Sequence, residues 1–303
     1  MTGFTDADVA DQSGKCFIVT GANTGLGFEA AKVLAAKGAR VLLACRSQEK
    51  AEAAMAQIGR ETSGADLAFL PLDQADIASI RTAAELADKE SQLDVLLNNA
   101  GVMFPPLTRT AQGFELQFGV NHLGCFALTS LLLPKLAQTG GSRVVITASL
   151  AHNGGNLAWD DLNAEKGYLR TKRYSDSKLA NLLFLFELDR RLRAAGSPVT
   201  ALACHPGIAA TELMRHAGPF RIATPLFGLV LNTAAKGAWP ALQAASAPDV
   251  QPGDYYGPQG LGEMRGPSGK ARRNRMASNP ELSRRLWEVS IQMTGIDPGL
   301  PPA

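Results

Sequence analysis

The five residues Tyr174-Ser-Asp-Ser-Lys178 have the types and spacing best suited to chemistry in this chain. A separation of four puts the phenol and the ammonium on one face of a helix, a turn apart. A free tyrosine titrates near about 10, and an adjacent ammonium favours its phenolate. Such a pair can hand a proton to a substrate oxygen, or take one from a hydroxyl, near neutral pH. Tyr168-Leu-Arg-Thr-Lys172 repeats the spacing a short way upstream. That copy lies in a polar stretch, whereas Tyr174 opens an apolar run over 179–185 that can anchor a helix under a sheet. Tyr174 is therefore the expected acid or base, and Tyr168 the decoy.

A second stretch reads Thr20-Gly-Ala-Asn-Thr-Gly-Leu-Gly27, between an apolar run at 16–19 and a helix-favouring segment at 28–37. Strand, glycine turn and helix together present free backbone N–H groups and a helix N-terminus to a diphosphate. Gly21 permits the tight turn, Gly25 lets the backbone approach phosphates, and Gly27 lets helix and strand pack closely. Asn23, Thr24 and Leu26 complete the expected cradle. No Gly-Lys-Ser/Thr ending follows, so ATP and GTP are disfavoured. At the end of the next strand a site for NAD usually carries Asp or Glu on the ribose hydroxyls. Here Cys45 is followed by Arg46 and Ser47. A guanidinium grips a 2′-phosphate with two parallel hydrogen bonds, so NADP(H) is the expected cofactor.

The elements that must position these groups alternate strand and helix. Apolar strands are expected at 16–20, 40–45, 67–72, 93–97, 143–148 and 199–204, with a short one at 254–256. Helices are expected between them, including a long one over 110–136 and another over 173–192. The pattern predicts an α/β fold, one doubly wound (Rossmann) parallel sheet of about seven strands with helices on both faces. All 303 residues are expected in a single domain. Ligands bind such sheets at the carboxyl ends of the strands. Residues 1–13 read as a loosely held lead-in, and 208–232, apolar but broken by Gly and Pro, as a substrate lid. Residues 257–303 read as a C-terminal loop and helix, started by Asn279-Pro280.

Bulk properties narrow the function. A net charge of +2 and a pI near 8.3 give no support to a nucleic-acid or membrane partner. The acidic N-terminus lacks a signal pattern, and the apolar runs at 179–185 and 222–231 are too short or too broken to span a bilayer. Four widely spaced cysteines in apolar surroundings point to reduced, buried thiols in a cytoplasmic protein. His205 beside Cys204 makes no metal pair, because strand neighbours face opposite ways. Asp160-Asp161 reads as a solvated turn. The basic residues Arg265, Lys270, Arg272, Arg273 and Arg275 lack interleaved aromatics and read as a solvated loop.

Taken together, Thr20-Gly-x-x-x-Gly-x-Gly27, Asp73, Asn98-Asn-Ala-Gly101, Asn121, Ser149, Tyr174-x-x-x-Lys178 and Pro206-Gly207 resemble the short-chain dehydrogenase/reductase family. The resemblance covers about residues 14–210, in order. Ala44-Cys-Arg-Ser47, Val120-Asn-His-Leu-Gly124 and the long gap from Ser149 to Tyr174 are similar to its retinol dehydrogenase/protochlorophyllide reductase-like branch. The resemblance implies catalytic roles for Asn121, Ser149, Tyr174 and Lys178. Ser149 would bind the substrate oxygen, Tyr174 would pass the proton, Lys178 would hold the nicotinamide ribose, and Asn121 would hold a relay water. It also implies that Asp73, Gln74, Asn99, Ala100 and Gly101 line the adenosine side. Pro206, Gly207, Ile208 and Thr211 would cradle the carboxamide. Ala148 departs from a common Ser-Ser pair, and Asn23-Thr24 replaces a basic residue, which leaves the NADP expectation on Arg46. The expected activity is NADP(H)-dependent interconversion of a bulky apolar ketone or aldehyde with its alcohol. The alternatives are a C=C reductase of the pigment-reducing type and a catalytically silent NADP(H)-sensing module. The apolar face over 179–188 reads as core or a subunit contact, and a homodimer through this helix is a hypothesis carried by resemblance and apolar composition.

Overall fold

Strands that are apolar along their whole length demand cover on both faces, and the fold supplies it. The computed structural model describes residues 3–208 and 232–303. Its sheet comprises β1 (Cys16–Thr20), β2 (Arg40–Cys45), β3 (Leu67–Pro71), β4 (Val95–Asn98), β5 (Arg143–Thr147), β6 (Thr200–Cys204), β7 (Tyr255–Gly260) and β8 (Arg265–Lys270). Their spatial order is β3-β2-β1-β4-β5-β6-β7-β8. All neighbours are parallel except β7 and β8, which form an antiparallel hairpin. The order reverses between β1 and β4, so the crevice for a ligand opens there.

Alternate residues of each strand feed the two layers. Ile18 joins Leu42, Ile80, Phe126 and Leu183 on one side. Phe17 and Val19 join Leu34, Ile58 and Leu242 on the other. The first layer is closed by α3 (Ile77–Ala87), α4 (Cys125–Leu136), α5 (Arg170–Ala194) and α7 (Pro280–Thr294). The second is closed by α1 (Gly25–Ala36), α2 (Gln48–Glu61) and α6 (Trp239–Ser246). Asp76 and Asn279 cap α3 and α7 as their sequence context predicts.

Three expectations need correction. The Gly- and Pro-rich segment at 257–269 is the β7–β8 hairpin, an eighth strand rather than a loop. Pro267 is tolerated because β8 lies at the sheet edge, where a missing N–H breaks little. The N-terminal lead-in is tied down: Phe4 pairs with Ser268 through two backbone hydrogen bonds of 2.9 and 2.8 Å. The helix expected from Thr110 begins only at Leu116, where the Glu115 carboxylate accepts the N–H groups of Gln117 and Phe118. It then passes through a π-helical segment, Gly119–Gly124, before continuing as α4. Leu116–Leu136 is long and apolar enough to cross a bilayer by composition, but 89% of its apolar window is buried inside this fold. Of the two readings of the apolar face of α5, core or subunit contact, the described residues fill it as core. Trp287 of α7 stacks on Phe184 and Phe126 at 5.9 and 5.4 Å between ring centroids, and every residue over 179–188 is buried.

Gly27 is where α1 meets the sheet most closely. A Cβ there would lie 2.5 Å from the Gly21 carbonyl oxygen and 2.5 Å from the Asn99 amide nitrogen. Gly27→Ala should therefore lose about 1–3 kcal/mol of stability. Gly59, exposed in α2 with nothing within 4 Å of its would-be Cβ, should gain about 0.5–1 kcal/mol on the same substitution. Urea unfolding of both variants checks the pair, and equal effects would contradict the packing account.

Candidate active site

Thr20 joins the ends of β1 and β4. Its hydroxyl accepts the backbone N–H groups of Asn99 and Ala100, each at 2.9 Å, and the Asn99 amide donates back to its carbonyl at 2.9 Å. Gly21 turns with φ +68, and a Cβ there would meet the Ala100 Cα at 3.1 Å. Gly25 also has positive φ, and Thr24 gives α1 no side-chain cap. The first N–H groups of α1 are thus left to a ligand at the carboxyl edge of the sheet.

Arg46 follows β2, exposed and with no hydrogen-bond or ion-pair partner among the described residues. Beside it, Ser47 caps α2 by accepting from the Lys50 N–H at 3.2 Å. The Asp73 carboxylate accepts from the Ala75 N–H at 2.9 Å. Gln74 is buried with both amide atoms unpartnered among the described residues. A glycine cradle, an uncapped helix start and an unpaired guanidinium fit a dinucleotide phosphate.

At the end of β5, Ser149 starts a short 3₁₀ segment, Leu150–Gly154, and accepts the Ala151 N–H at 3.2 Å. The His152 ring nitrogen Nδ1 meets the Ser149 carbonyl at 2.7 Å and fixes the turn from below. The Tyr174 side chain reaches from α5 towards Ser149, near enough for that hydroxyl to act on its ionisation. The expected acidification of this phenol is not realised in the isolated chain. Burial raises its pKa, and the nearby Ser149 hydroxyl only partly opposes that. The ammonium expected to lower it is engaged elsewhere. Lys178 Nζ donates to the Thr147 carbonyl at 2.9 Å, which Asn181 also uses at 3.1 Å, and lies 5.8 Å from the Tyr174 ring centroid. Burial pulls Lys178 down to about 8. Its neighbours Cys125 and Cys204 are pushed up to about 12 by burial, so they are neutral thiols at neutral pH and offer it no anion.

Asn121 sits in the π-helical segment, a place where such irregularity often serves a site. Its Oδ1 accepts from the Val102 N–H at 2.7 Å. Its Nδ2 donates to the Val102 carbonyl at 3.0 Å and to Ser177 Oγ at 2.9 Å. The side chain is therefore a brace between the loop after β4 and α5. The next residue, His122, meets Ser290 Oγ of α7 at 2.8 Å. That hydroxyl donates to Leu286 O, so His122 Nε2 carries the hydrogen, and burial pulls its pKa down to about 3.

The Pro206-Gly207-Ile208 turn is bolted to the β7–β8 hairpin. The Ile208 N–H donates to Met264 O at 3.0 Å, and His205 Nε2 meets Glu263 at 3.0 Å. Asn232 joins both ends of the following stretch, donating to Ile208 O and Pro206 O at 2.9 and 3.2 Å. The lid expectation and Thr211 fall within 209–231, outside the described residues. Asp161 is not in a solvated pair: it forms a buried ion pair with Arg173 at 2.7 Å, while exposed Asp160 meets Lys166. Of the basic run, Lys270 pairs with Asp254, and Arg273 stacks on Phe186. Sequence reasoning missed the Thr20 bridge, Gln117, Glu263 and Phe104, whose ring stands edge-on to Tyr174 at 5.3 Å. Only the Thr20 bridge had a signal, its fixed place before the glycine turn.

The order of motifs and their convergence at one sheet edge agree with comparisons to known proteins. The pattern of the short chain dehydrogenase family matches residues 15–221. The chain belongs to that family. It is 43% identical to human retinol dehydrogenase 12 over 286 residues, covering 93% of this chain and 87% of that one. Human retinol dehydrogenase 13 is 42% identical over 307 residues, covering 98% and 89%. The branch expected from Ala44–Ser47 and Val120–Gly124 is thereby supported. Among solved structures, an uncharacterized protein from Mycobacterium paratuberculosis superposes with a TM-score of 0.82 at 40% identity, covering 99% and 100%. The Pseudomonas aeruginosa RhlG/NADP complex shares the fold, with TM-score 0.65 at 23% identity over 81% and 94%. Membership makes this short chain dehydrogenase a hydride-transferring oxidoreductase with a nicotinamide cofactor.

The buried lysine gives a test of this geometry. The unfolded side chain holds its proton to about 10.5 and the folded one only to about 8. Unfolding therefore takes up a proton between those values, and stability rises with pH through that window. Below it both states are charged and the full burial penalty remains. Lys178→Met should be more stable than the wild type at pH 7, by up to about 3 kcal/mol. The difference should shrink between about pH 8 and 10.5. Denaturation midpoints across that range check it, and a constant difference would show that this lysine does not titrate there.

Proposed function

We propose that this short chain dehydrogenase interconverts a bulky apolar aldehyde or ketone and its alcohol with NADP(H), using Ser149 and Tyr174 as the two hydroxyl donors to the reacting oxygen. The observation that carries the reading is the buried Tyr174 beside Ser149, with buried Lys178 one helical turn along the same helix, at the edge that carries the glycine cradle. A bound nicotinamide supplies or accepts the hydride. As charge develops on the carbonyl oxygen, the Ser149 hydroxyl holds it and the Tyr174 hydroxyl delivers the proton. Lys178 holds the nicotinamide ribose and favours the phenolate that remains. Asn121 keeps one Oδ1 lone pair for a relay water while it braces Val102.

The apolar substrate class is supported by the names of the retinol dehydrogenase relatives and by the rim beside Tyr174. There Pro105, Pro106, Leu107, Tyr168, Leu169 and Arg170 line a cleft of about 400 Å³, and Leu107 and Leu169 are exposed. Asp73, Gln74 and Asn99–Gly101 would take the adenosine side, and Pro206–Ile208 with Thr211 the carboxamide. Four free, buried cysteines suit the cytoplasmic setting that completes the proposal.

The choice of Tyr174 over Tyr168 is supported by the hydrogen bond that the Tyr168 hydroxyl donates to Pro105 O at 2.8 Å. Tyr174→Phe should lower kcat for NADPH-dependent carbonyl reduction by about 10²–10⁴-fold while NADPH affinity is nearly kept. Tyr168→Phe should leave kcat within about threefold. The reverse ranking would overturn the assignment. NADPH binding without turnover of any carbonyl would instead favour the sensing module.

The 2′-phosphate claim rests on Arg46 and is tested separately. Arg46→Ala should weaken NADPH about tenfold or more and NADH far less. Titration of both cofactors by fluorescence decides it, and equal weakening would remove the preference from Arg46.

A further inference from the structure

We propose that Phe104 is the specificity-determining wall of the substrate site, held by Gln117 in a left-handed backbone so that its ring stands against the Tyr174 phenol. The inference rests on the carbonyl reading above and names the contact that would select its substrate. Phe104 has φ +59, a conformation that bulky residues adopt only when their surroundings impose it. The hydrophobic core does not impose it: among the described residues Phe104 belongs to neither core cluster and its ring meets Tyr174 edge-on. A polar strut does. Gln117, fully buried, accepts the Phe104 N–H on Oε1 at 3.0 Å. Its Nε2 donates to Tyr168 Oη at 3.1 Å and to the Arg170 carbonyl at 3.0 Å. Tyr168 in turn donates to Pro105 O. One amide therefore locks the loop after β4 onto the start of α5, the helix that carries Tyr174.

The product of that lock is a ring only half-buried, meeting Tyr174 at 5.3 Å with an interplanar angle of 75°. One side of the phenol is closed by this edge, and the rest of the ring is free to meet an apolar substrate. The exposed Pro106 and Leu107 continue the same surface outward. An aromatic wall beside the proton donor favours a flat, extended apolar carbonyl over a small one.

Phe104→Ala, Phe104→Gly and Phe104→Leu would be compared with the wild type, using NADPH with retinal as the bulky aldehyde and propanal as the small one. The ratio of kcat/KM for retinal to that for propanal should fall about tenfold or more in the Ala and Gly variants, chiefly through KM for retinal. Leu should recover most of the ratio. The Gly variant should melt no lower than the Ala variant, because glycine takes positive φ without a Cβ clash. An unchanged ratio in an active enzyme, or a Gly variant that melts below Ala, overturns the inference alone. A wild type that binds NADPH and reduces neither aldehyde overturns the functional reading and this inference together.

Discussion

A buried ammonium with no counter-ion among the described residues shapes the centre of this molecule. Lys178 is held at the end of β5 by one carbonyl, that of Thr147, and the thiols around it are neutral. An uncompensated charge at that depth opposes folding, and its presence marks a place where stability has yielded to chemistry. The surrounding backbone is drawn tight about it. A Cβ on Gly101 would stand 3.0 Å from Asn121 Oδ1 and 3.6 Å from Lys178 Nζ. That close approach lets the loop after β4, the π-helical turn and α5 meet at one point.

Three polar side chains perform the meeting, each with hydrogen bonds to backbone. Thr20 binds the end of β1 to the start of the loop after β4. Asn121 binds that loop to α5 through Val102 and Ser177. Gln117 binds it again through Phe104 and Arg170. Buried amides bonded on both their oxygen and their nitrogen rigidify what they join, so Ser149 and Tyr174 rest on a frame with little freedom. The C-terminal helix α7 reinforces it from behind, through His122, Ser290 and the Phe126–Phe184–Trp287 cluster. The same helix fills the face of α5 that composition alone leaves open between core and subunit contact.

The β7–β8 hairpin performs the corresponding task on the nicotinamide side. Gly207 passes so close to Met264 that a Cβ would fall 2.2 Å from its carbonyl oxygen. The His205–Glu263 contact lies next to this crossing. There the Glu263 carboxyl, which burial alone would raise, is held below its usual range by His205 and the Arg272 N–H. The strand edge thus carries the turn after β6, and Asn232 gathers the two ends of the following stretch against it.

The alternation of apolar strands with amphipathic helices, the glycine turn and the Tyr174–Lys178 spacing were legible in the sequence because each is a local property of the chain. Backbone freedom at Gly21 and Gly25, capping at Asp76 and Asn279, and a shared helix face depend only on neighbours a few residues away. What the sequence could not show was long-range pairing. A Gly- and Pro-rich tract became a hairpin because β7 offered it an edge, and Tyr168 became a strut because Pro105 and Gln117 lie beside it in space. The phenol's acidity also escaped a local reading, since burial and the direction of the Lys178 hydrogen bond decide it. Phe104 shows the limit most plainly: nothing in its neighbours along the chain demands a left-handed backbone, and only the Gln117 amide, folded back from the next helix, imposes one.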